Sequence, residues 1–276
     1  MVTALIFGIF GLIVGSFLNV VILRRGARAL SGRSACMSCG RQLLWHDMVP
    51  VVSWLALRGR CRGCGSGISL QYPLVEAATA ILFAAIGAAP HLDIAHKIIF
   101  CIIAALLICI TVYDLRHTII PDGWAYSFAG LAFASQFLTP LAGEFDWWLI
   151  LAGPIAAAPL FALWLFSKGR WMGLGDAKLA LGIGWLLGPV FGVVAVFFAF
   201  VIGALVSVCI LLPLPHILSA LHTIGITSKQ IRRRGFTMRS EIPFGPFLIF
   251  SCITLWLSII YNLDPLQALP LLSFLQ

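Results

Sequence analysis

The chain alternates long apolar blocks with short polar segments, and this pattern predicts a helical membrane protein. A hydrocarbon core about 30 Å thick requires roughly 17 to 25 apolar residues for each spanning helix. The blocks are continuous and lack the regular alternation of a half-buried soluble helix or strand. Eight of them are present, at residues 2–23, 73–90, 94–113, 123–140, 147–167, 177–189, 190–215 and 244–263.

The predicted fold is therefore an all-α polytopic membrane protein with about eight transmembrane helices. Only Gly188 and Pro189 separate the short sixth block from the seventh, so seven helices are an alternative count. The first block resembles the apolar part of a signal peptide. Since no basic segment precedes it and no small-residue cleavage site follows it, we expect a retained helix.

The composition agrees with lipid as the solvent, and the charge distribution predicts an orientation. Hydrophobic side chains make up 61% of the chain and charged ones only 10%, against about 25% charged residues in soluble domains. The net charge of +8 is concentrated on one side, which the positive-inside rule makes cytoplasmic, with both termini outside. This distribution disfavours a nucleic-acid partner, and we expect Arg232–Arg234 to contact anionic lipid. Four segments on that side, 24–72, 114–122, 168–178 and 216–243, hold 17 of the 18 Lys and Arg residues.

The polar segment after the first block contains two Cys-x-x-Cys pairs. Cys36 and Cys39 form the first pair, and Cys61 and Cys64 form the second after a gap of 21 residues. This spacing is typical of a tetrahedral zinc site with four thiolate ligands. Two disulfides are the alternative, but the charge pattern places the segment in the reducing cytoplasm. We therefore predict a closed, structural Zn²⁺ site in a small zinc-ribbon-like insert.

Two aspartates lie at the edges of apolar blocks, where an ionisable residue is a candidate for function. Asp114 follows the third block, and Asp176 ends Gly173-Leu174-Gly175-Asp176 directly before the sixth. Two carboxylates that share one proton can hydrolyse a peptide bond. The ionised one activates water, and the protonated one donates to the carbonyl oxygen. The sequence thus predicts Asp114 and Asp176 as the catalytic pair of an aspartic peptidase.

Structural roles for the same acidic residues remain as alternatives. Asp176 can cap a helix, and Asp114 can pair with Arg116 or His117. Asp122 follows Ile120-Pro121 and is expected to be a helix N-cap. Other catalytic systems are disfavoured, because the chain has no Gly-x-Ser-x-Gly, His-Glu-x-x-His or phosphate-binding glycine motif.

Taken in order along nearly the whole chain, the motifs resemble those of the type IV prepilin peptidases. Singly, a motif such as Gly-x-Gly-Asp is short and weak, whereas the ordered set is specific. The set comprises Gly15–Val21, the paired Cys-x-x-Cys insert, Val51–Leu55, Ile68–Glu76, Asp114 with Ile120-Pro121-Asp122, Gly173–Lys178 and Pro243–Pro246.

This resemblance implies an enzyme of the bacterial inner membrane with its active site facing the cytoplasm. Its substrates would be type IV prepilins or type II secretion pseudopilins, from which it removes a short basic leader. It would then methylate the new N-terminus with S-adenosylmethionine. The catalytic aspartates of the family correspond to Asp114 and Asp176, with Asp122 as the rival for the first position. Glu76 is a candidate for cofactor binding, and a helix cap or a salt bridge to a loop arginine is its alternative role.

We predict three parts: a first transmembrane helix at 1–23, the four-cysteine insert at 24–72, and a catalytic helix bundle at 73–276. Two other functions fit some of the same motifs. The first is a Gly-x-Gly-Asp intramembrane peptidase without methyltransferase activity, against which the cysteine insert argues. The second is a non-enzymatic membrane adaptor in which zinc and both aspartates are structural.

Overall fold

The computed structural model describes residues 1–25, 32–137, 147–211 and 243–263, and these residues are mostly helical apart from the turns of residues 32–70. A single 3₁₀ turn, Trp45–Asp47, precedes α2, and a π-helical turn, Ser207–Leu211, follows α8. The described residues form no β-strand and only two isolated β-bridges. The α-helices of the described ranges are α1 (Val2–Arg24), α2 (Val52–Ala56), α3 (Gln71–Ala88), α4 (Ile94–His117), α5 (Asp122–Ser135), α6 (Trp147–Ser167), α7 (Leu174–Leu187), α8 (Pro189–Val206) and α9 (Gly245–Ile260).

All helices except α2 occupy the predicted apolar blocks, so the all-helical class is confirmed. Within the described ranges, α1, α3, α4, α6 and α8 are long and apolar enough to cross a membrane. The other three, α5, α7 and α9, have 14, 14 and 16 residues. At a rise of ~1.5 Å per residue they span about 21 to 24 Å, which is less than the hydrocarbon core. The count of eight spans therefore stays a prediction.

The predicted orientation depends partly on residues that are not described. The basic segment 216–243, with Arg232–Arg234, lies outside the described residues apart from Pro243. The other three basic segments follow α1, α4 and α6. Their cytoplasmic placement stays a prediction.

The described helices divide into two compact units. The first contains α1 to α3, α4 as far as Tyr113, and the C-terminal ends of α5 and α9. The second contains the last turn of α4 from Asp114, most of α5, α6 to α8, and α9 as far as Leu255. The predicted division at residues 72 and 73 stays a prediction.

In the first unit, α1 and α3 pack closely because α1 carries glycines on the shared face. A Cβ atom on Gly15 would lie 2.7 Å from Cα of Glu76, and one on Gly11 would lie 2.8 Å from Cα of Ala80. Small residues four positions apart are typical of close helix pairs in membranes. The opposite face of α1 presents large apolar side chains to the surroundings: Leu5, Ile6, Ile9, Phe10, Ile13 and Phe17 are exposed.

In the second unit, α7 is the central helix. A Cβ atom on Gly182 would lie 2.5 Å from the Phe128 ring, and one on Gly184 would lie 2.2 Å from the carbonyl oxygen of Ala152. Indole Nε1 of Trp185 donates to the carbonyl oxygen of Ile150 at 3.0 Å. The two glycines therefore let α5 and α6 approach the α7 backbone, which fixes the first turn of α7 and Asp176 within it.

Candidate active site and metal centre

Asp114 and Asp176 line the same cavity in the second unit. The cavity has a volume of about 330 Å³. The two aspartates are 4% and 9% exposed. The remaining wall is mainly apolar and includes Ile119, Ile120, Trp171, Met172 and Phe244.

The end of α4 determines the position of Asp114. The N–H of Thr118 donates to the carbonyl oxygen of Asp114 at 2.7 Å, and Thr118 has a φ of 53°. A residue in the left-handed region commonly ends a helix. Asp114 therefore lies in the last turn of α4, and the chain then turns through Ile120 towards the start of α5.

Gly175 brings that loop against the start of α7. A Cβ atom on Gly175 would lie 2.9 Å from Cβ of Ile120, closer than side-chain atoms normally approach. The backbone of Gly173 is extended, and α7 begins at the following residue, Leu174. Asp176 is therefore inside the first turn of α7, slightly later in the helix than the sequence alone suggested. Gly175 thus allows the loop with Ile120 to contact the start of α7, and this contact places both carboxylates in one cavity.

The first residue of α9 contacts Asp114, which sequence reasoning did not reveal. The backbone of Gly245 lies directly beside the Asp114 carboxylate. A Cβ atom on Gly245 would lie 2.5 Å from Oδ2 of Asp114. This Oδ2 atom is buried and has no hydrogen-bond partner among the described residues. Neither Arg116 nor His117, the alternative partners of Asp114, therefore donates a hydrogen bond to this oxygen.

We expect Gly245→Ala to reduce peptide cleavage by about 10²-fold, because a shift of about 1 Å in a reacting group has that effect. The matched control is Gly123→Ala in α5, where an added Cβ atom meets nothing within 4 Å. Both variants should be compared with wild type in cleavage rate and in thermal unfolding. Equal rates for Gly245→Ala and Gly123→Ala would contradict a positioning role for Gly245.

The four cysteines of the insert lie together in two similar turns. In the first, the N–H of Gly40 donates to the carbonyl oxygen of Cys36 at 2.9 Å. In the second, the N–H of Gly65 donates to the carbonyl oxygen of Cys61 at 2.9 Å. Both glycines have positive φ values, 71° and 70°, which favour glycine. Each turn is closed by an isolated bridge, Ala35 with Gln42 and Arg60 with Gly67.

The cysteine geometry suits a metal ion better than disulfides. All four Sγ atoms lie within 4.8 Å of one another, and Sγ of Cys36 is 3.9 Å from Sγ of Cys64. A tetrahedral zinc site with Zn–S bonds of about 2.3 Å requires sulfurs about 3.8 Å apart. Backbone N–H groups of Cys39 and Ser38 lower the pKa of the Cys36 thiol to about 6. Since thiolate is the ligand form, this cluster can bind a metal such as zinc.

Glu76 joins the insert to the helices of the first unit. It is 6% exposed, in the second turn of α3. Its Oε2 atom accepts a hydrogen bond of 2.7 Å from the N–H of Val51. Val51 has a φ of 59°, which is rare for a β-branched residue. Glu76 thus stabilises a strained turn that the sequence does not reveal.

Asp122 is exposed and has its partner, Lys178, outside the cavity. It is the first residue within α5, one position later than the predicted N-cap, and its Oδ1 atom lies 2.7 Å from Nζ of Lys178. Lys178 also lies 5.2 Å from the centre of the Tyr126 ring. The Asp122 carboxylate therefore links α5 to α7. Asp122 is not among the residues that line the cavity with Asp114.

Two family models and several known proteins match this chain. The bacterial peptidase A24 N-terminal domain matches residues 9–89, and the type IV leader peptidase family matches residues 101–208. A prepilin leader peptidase/N-methyltransferase of Bacillus subtilis is 34% identical over 201 residues, which cover 71% of this chain and 79% of the relative. The chain belongs to the type IV leader peptidase family.

Further members of this family match most of the chain. A type 4 prepilin-like proteins leader peptide-processing enzyme of Escherichia coli O78:H11 is 30% identical, over 86% of this chain and 87% of the relative. A prepilin leader peptidase/N-methyltransferase of Dichelobacter nodosus is 29% identical, over 92% of this chain and 90% of the relative. No solved structure matches the chain significantly. The chain is accordingly an enzyme of a membrane peptidase family, consistent with its apolar helices.

Proposed function

We propose that this leader peptidase is an aspartic endopeptidase in which Asp114 and Asp176 cleave the basic leader of type IV prepilins or type II secretion pseudopilins. The observation that carries the proposal is the shared cavity, where two acidic side chains from different helices lie 4% and 9% exposed. Isolated carboxylates are rarely buried without a strong partner. A pair that shares a proton accounts for the burial of both.

The chemistry follows from what each carboxyl can do with a water molecule. The ionised carboxylate accepts a proton from water while the oxygen of that water attacks the peptide carbonyl carbon. The protonated carboxyl donates its proton to the carbonyl oxygen, and a proton then passes to the leaving amine. Because close carboxyls titrate as a unit, the shared proton belongs to the pair. The close packing of Gly245 against the carboxylate and the turn at Thr118 hold Asp114 in place for this exchange.

The position of the pair suits a substrate that stays partly in the bilayer. Asp114 is in the last turn of a helix long enough to span a membrane, and Asp176 is in the first turn of α7. A prepilin whose apolar segment remains in lipid would present the peptide bond after its leader at this depth. We propose the cytoplasmic leaflet for this end, because basic segments follow α1, α4 and α6.

We further propose N-methylation of the new N-terminus, an activity that the names of the relatives include. S-adenosylmethionine would supply the methyl group. Glu76 is the residue we assign to its binding, although the N–H of Val51 now occupies Oε2. Direct contact between Glu76 and the donor would require that hydrogen bond to open first. Zinc held by Cys36, Cys39, Cys61 and Cys64 would be structural, since four sulfurs complete a tetrahedron.

One assay of the purified full chain separates the proposed activities. A synthetic peptide with a basic leader and an apolar segment is incubated with and without S-adenosylmethionine, and the products are identified by mass. We expect cleavage in both cases and a methyl group on the product only with the donor. Glu76→Gln should retain cleavage and lose most methylation. An uncleaved peptide would contradict the peptidase proposal, and cleavage without methylation would favour a peptidase that lacks methyltransferase activity.

A further inference from the structure

The segment between the two cysteine pairs exposes large apolar side chains next to a helix that can span the membrane. We call Trp45, Met48, Val52 and Leu55 the apolar patch. Trp45 is 77% exposed, and the other three are exposed as well. Val52 and Leu55 lie on one face of α2, because residues three apart in a helix are neighbours. An apolar surface of this kind marks a site of interaction.

Two hydrogen bonds fix the depth of the patch. The N–H of Val51 donates to Oε2 of Glu76 at 2.7 Å, and Nε1 of Trp54 donates to the carbonyl oxygen of Ile68 at 3.2 Å. Glu76 is five residues into α3, or about 8 Å along its axis at ~1.5 Å per residue. The 18 residues of α3 span about 27 Å, which is close to the hydrocarbon thickness of about 30 Å. The whole helix is therefore needed to cross a membrane. The patch is therefore held beside the first turns of a spanning helix, at the depth of the interface.

The charge of the insert suits an anionic surface. Residues 32–70 contain five arginines and one acidic residue, Asp47. Asp47 is paired with Arg62 at 3.0 Å, and Arg58 and Arg60 adjoin α2 and are exposed. Basic residues next to an exposed tryptophan are typical of segments that lie in the interface of a bilayer with anionic lipid. A basic peptide, in contrast, would be repelled by the excess of arginine.

We propose that the apolar patch inserts into the bilayer interface beside α3, with the Trp45 indole at headgroup level and Arg58 and Arg60 against anionic lipid headgroups. Lipid then covers a surface that the protein leaves open. The insert is anchored from two sides, by Glu76 in the helix and by the bilayer. The strained Val51 turn lies between these two anchors.

Tryptophan quenching in bilayers tests this proposal with the full chain. Wild type and Trp45→Phe are reconstituted in phosphatidylcholine with and without phosphatidylglycerol, and their difference gives the emission of Trp45. We expect lipid chains brominated near the headgroup to reduce this emission about twofold, since interfacial tryptophans contact the upper chain carbons. Aqueous acrylamide should have little effect. In Arg58→Gln/Arg60→Gln, the dependence on phosphatidylglycerol should disappear.

A matched control uses Met37, which is 79% exposed in the first cysteine turn. Emission from Met37→Trp in the Trp45→Phe background should respond to acrylamide and not to brominated lipid. Equal lipid quenching at both positions would overturn the proposal, because contact would then not be specific to the patch. Quenching of Trp45 by acrylamide alone would also overturn it. Protection of Trp45 only after a leader peptide is added would assign the patch to a peptide instead.

Discussion

Asp176→Asn is expected to reduce leader cleavage by about 10³-fold, because a positioned general acid or base contributes roughly 10² to 10⁴ in rate. Asp114→Asn should have a similar effect. The double variant should be little worse than either one, since residues that act as a unit are not additive. The measurement is the cleavage rate of a leader-bearing peptide by each purified variant. Full cleavage by Asp176→Asn would remove this residue from the catalytic pair.

Asp122→Asn is the matched control, because Asp122 was the rival for the first catalytic position. Its carboxylate is 66% exposed and pairs with Lys178 at 2.7 Å. Exposed ion pairs contribute about 0 to 1 kcal/mol to stability. We therefore expect a cleavage rate within a few-fold of wild type. A loss as large as that of Asp114→Asn would reverse the assignment of the two residues.

Stability and activity should change in opposite directions in the two catalytic variants. Asp114 and Asp176 are buried in one cavity, and Oδ2 of Asp114 has no hydrogen-bond partner among the described residues. A neutral amide removes a buried charge, which is destabilising where no partner compensates it. The thermal unfolding temperatures of both Asn variants should therefore equal or exceed that of wild type. This outcome would separate a catalytic loss from a folding defect.

The parts of the molecule that were predictable from sequence are those that local patterns encode. Apolar blocks located every long helix, and the spacing of Cys36, Cys39, Cys61 and Cys64 anticipated the thiolate cluster. Both signals depend on residues close together in the chain. The helix ends were less accurate: the predicted sixth block begins at residue 177, whereas α7 begins at Leu174. The extended backbone of Gly173 starts the helix earlier than the apolar residues indicate.

The contacts that complete the candidate active site were not predictable, because they join distant segments. Gly245 contacts Asp114 only because α9 begins beside the end of α4. The pattern of apolar residues along the chain does not predict which helix ends lie side by side. Val51 is an ordinary apolar residue in the sequence, yet its positive φ is stabilised by Glu76. Lys178 belongs to the same motif as Asp176, but its partner Asp122 lies 56 residues away.

Removal of one zinc ligand should have the largest effect on stability. Cys61 is the one buried cysteine of the four, and its Sγ atom also accepts the N–H of Gly63 at 3.4 Å. Structural zinc contributes an apparent ~10 to 16 kcal/mol in small zinc-binding peptides, which are unfolded without the metal. We expect Cys61→Ser to lose its bound zinc by elemental analysis. Trypsin should then cleave between Arg58 and Arg62 about tenfold faster, since an unfolded insert exposes its backbone.

Cys209→Ser is the matched control for this prediction, because Cys209 is exposed and lies in the turn after α8. It should keep about one zinc per chain, because four cysteine ligands remain. Treatment of wild type with a strong chelator should reproduce the trypsin sensitivity of Cys61→Ser, and added Zn²⁺ should reverse it. Zinc absent from wild type, or an insert equally resistant in Cys61→Ser, would show that the cysteine turns fold without a metal. The backbone hydrogen bonds of Gly40 and Gly65 alone would then have to hold both turns, although the four sulfurs lie at metal-binding distance.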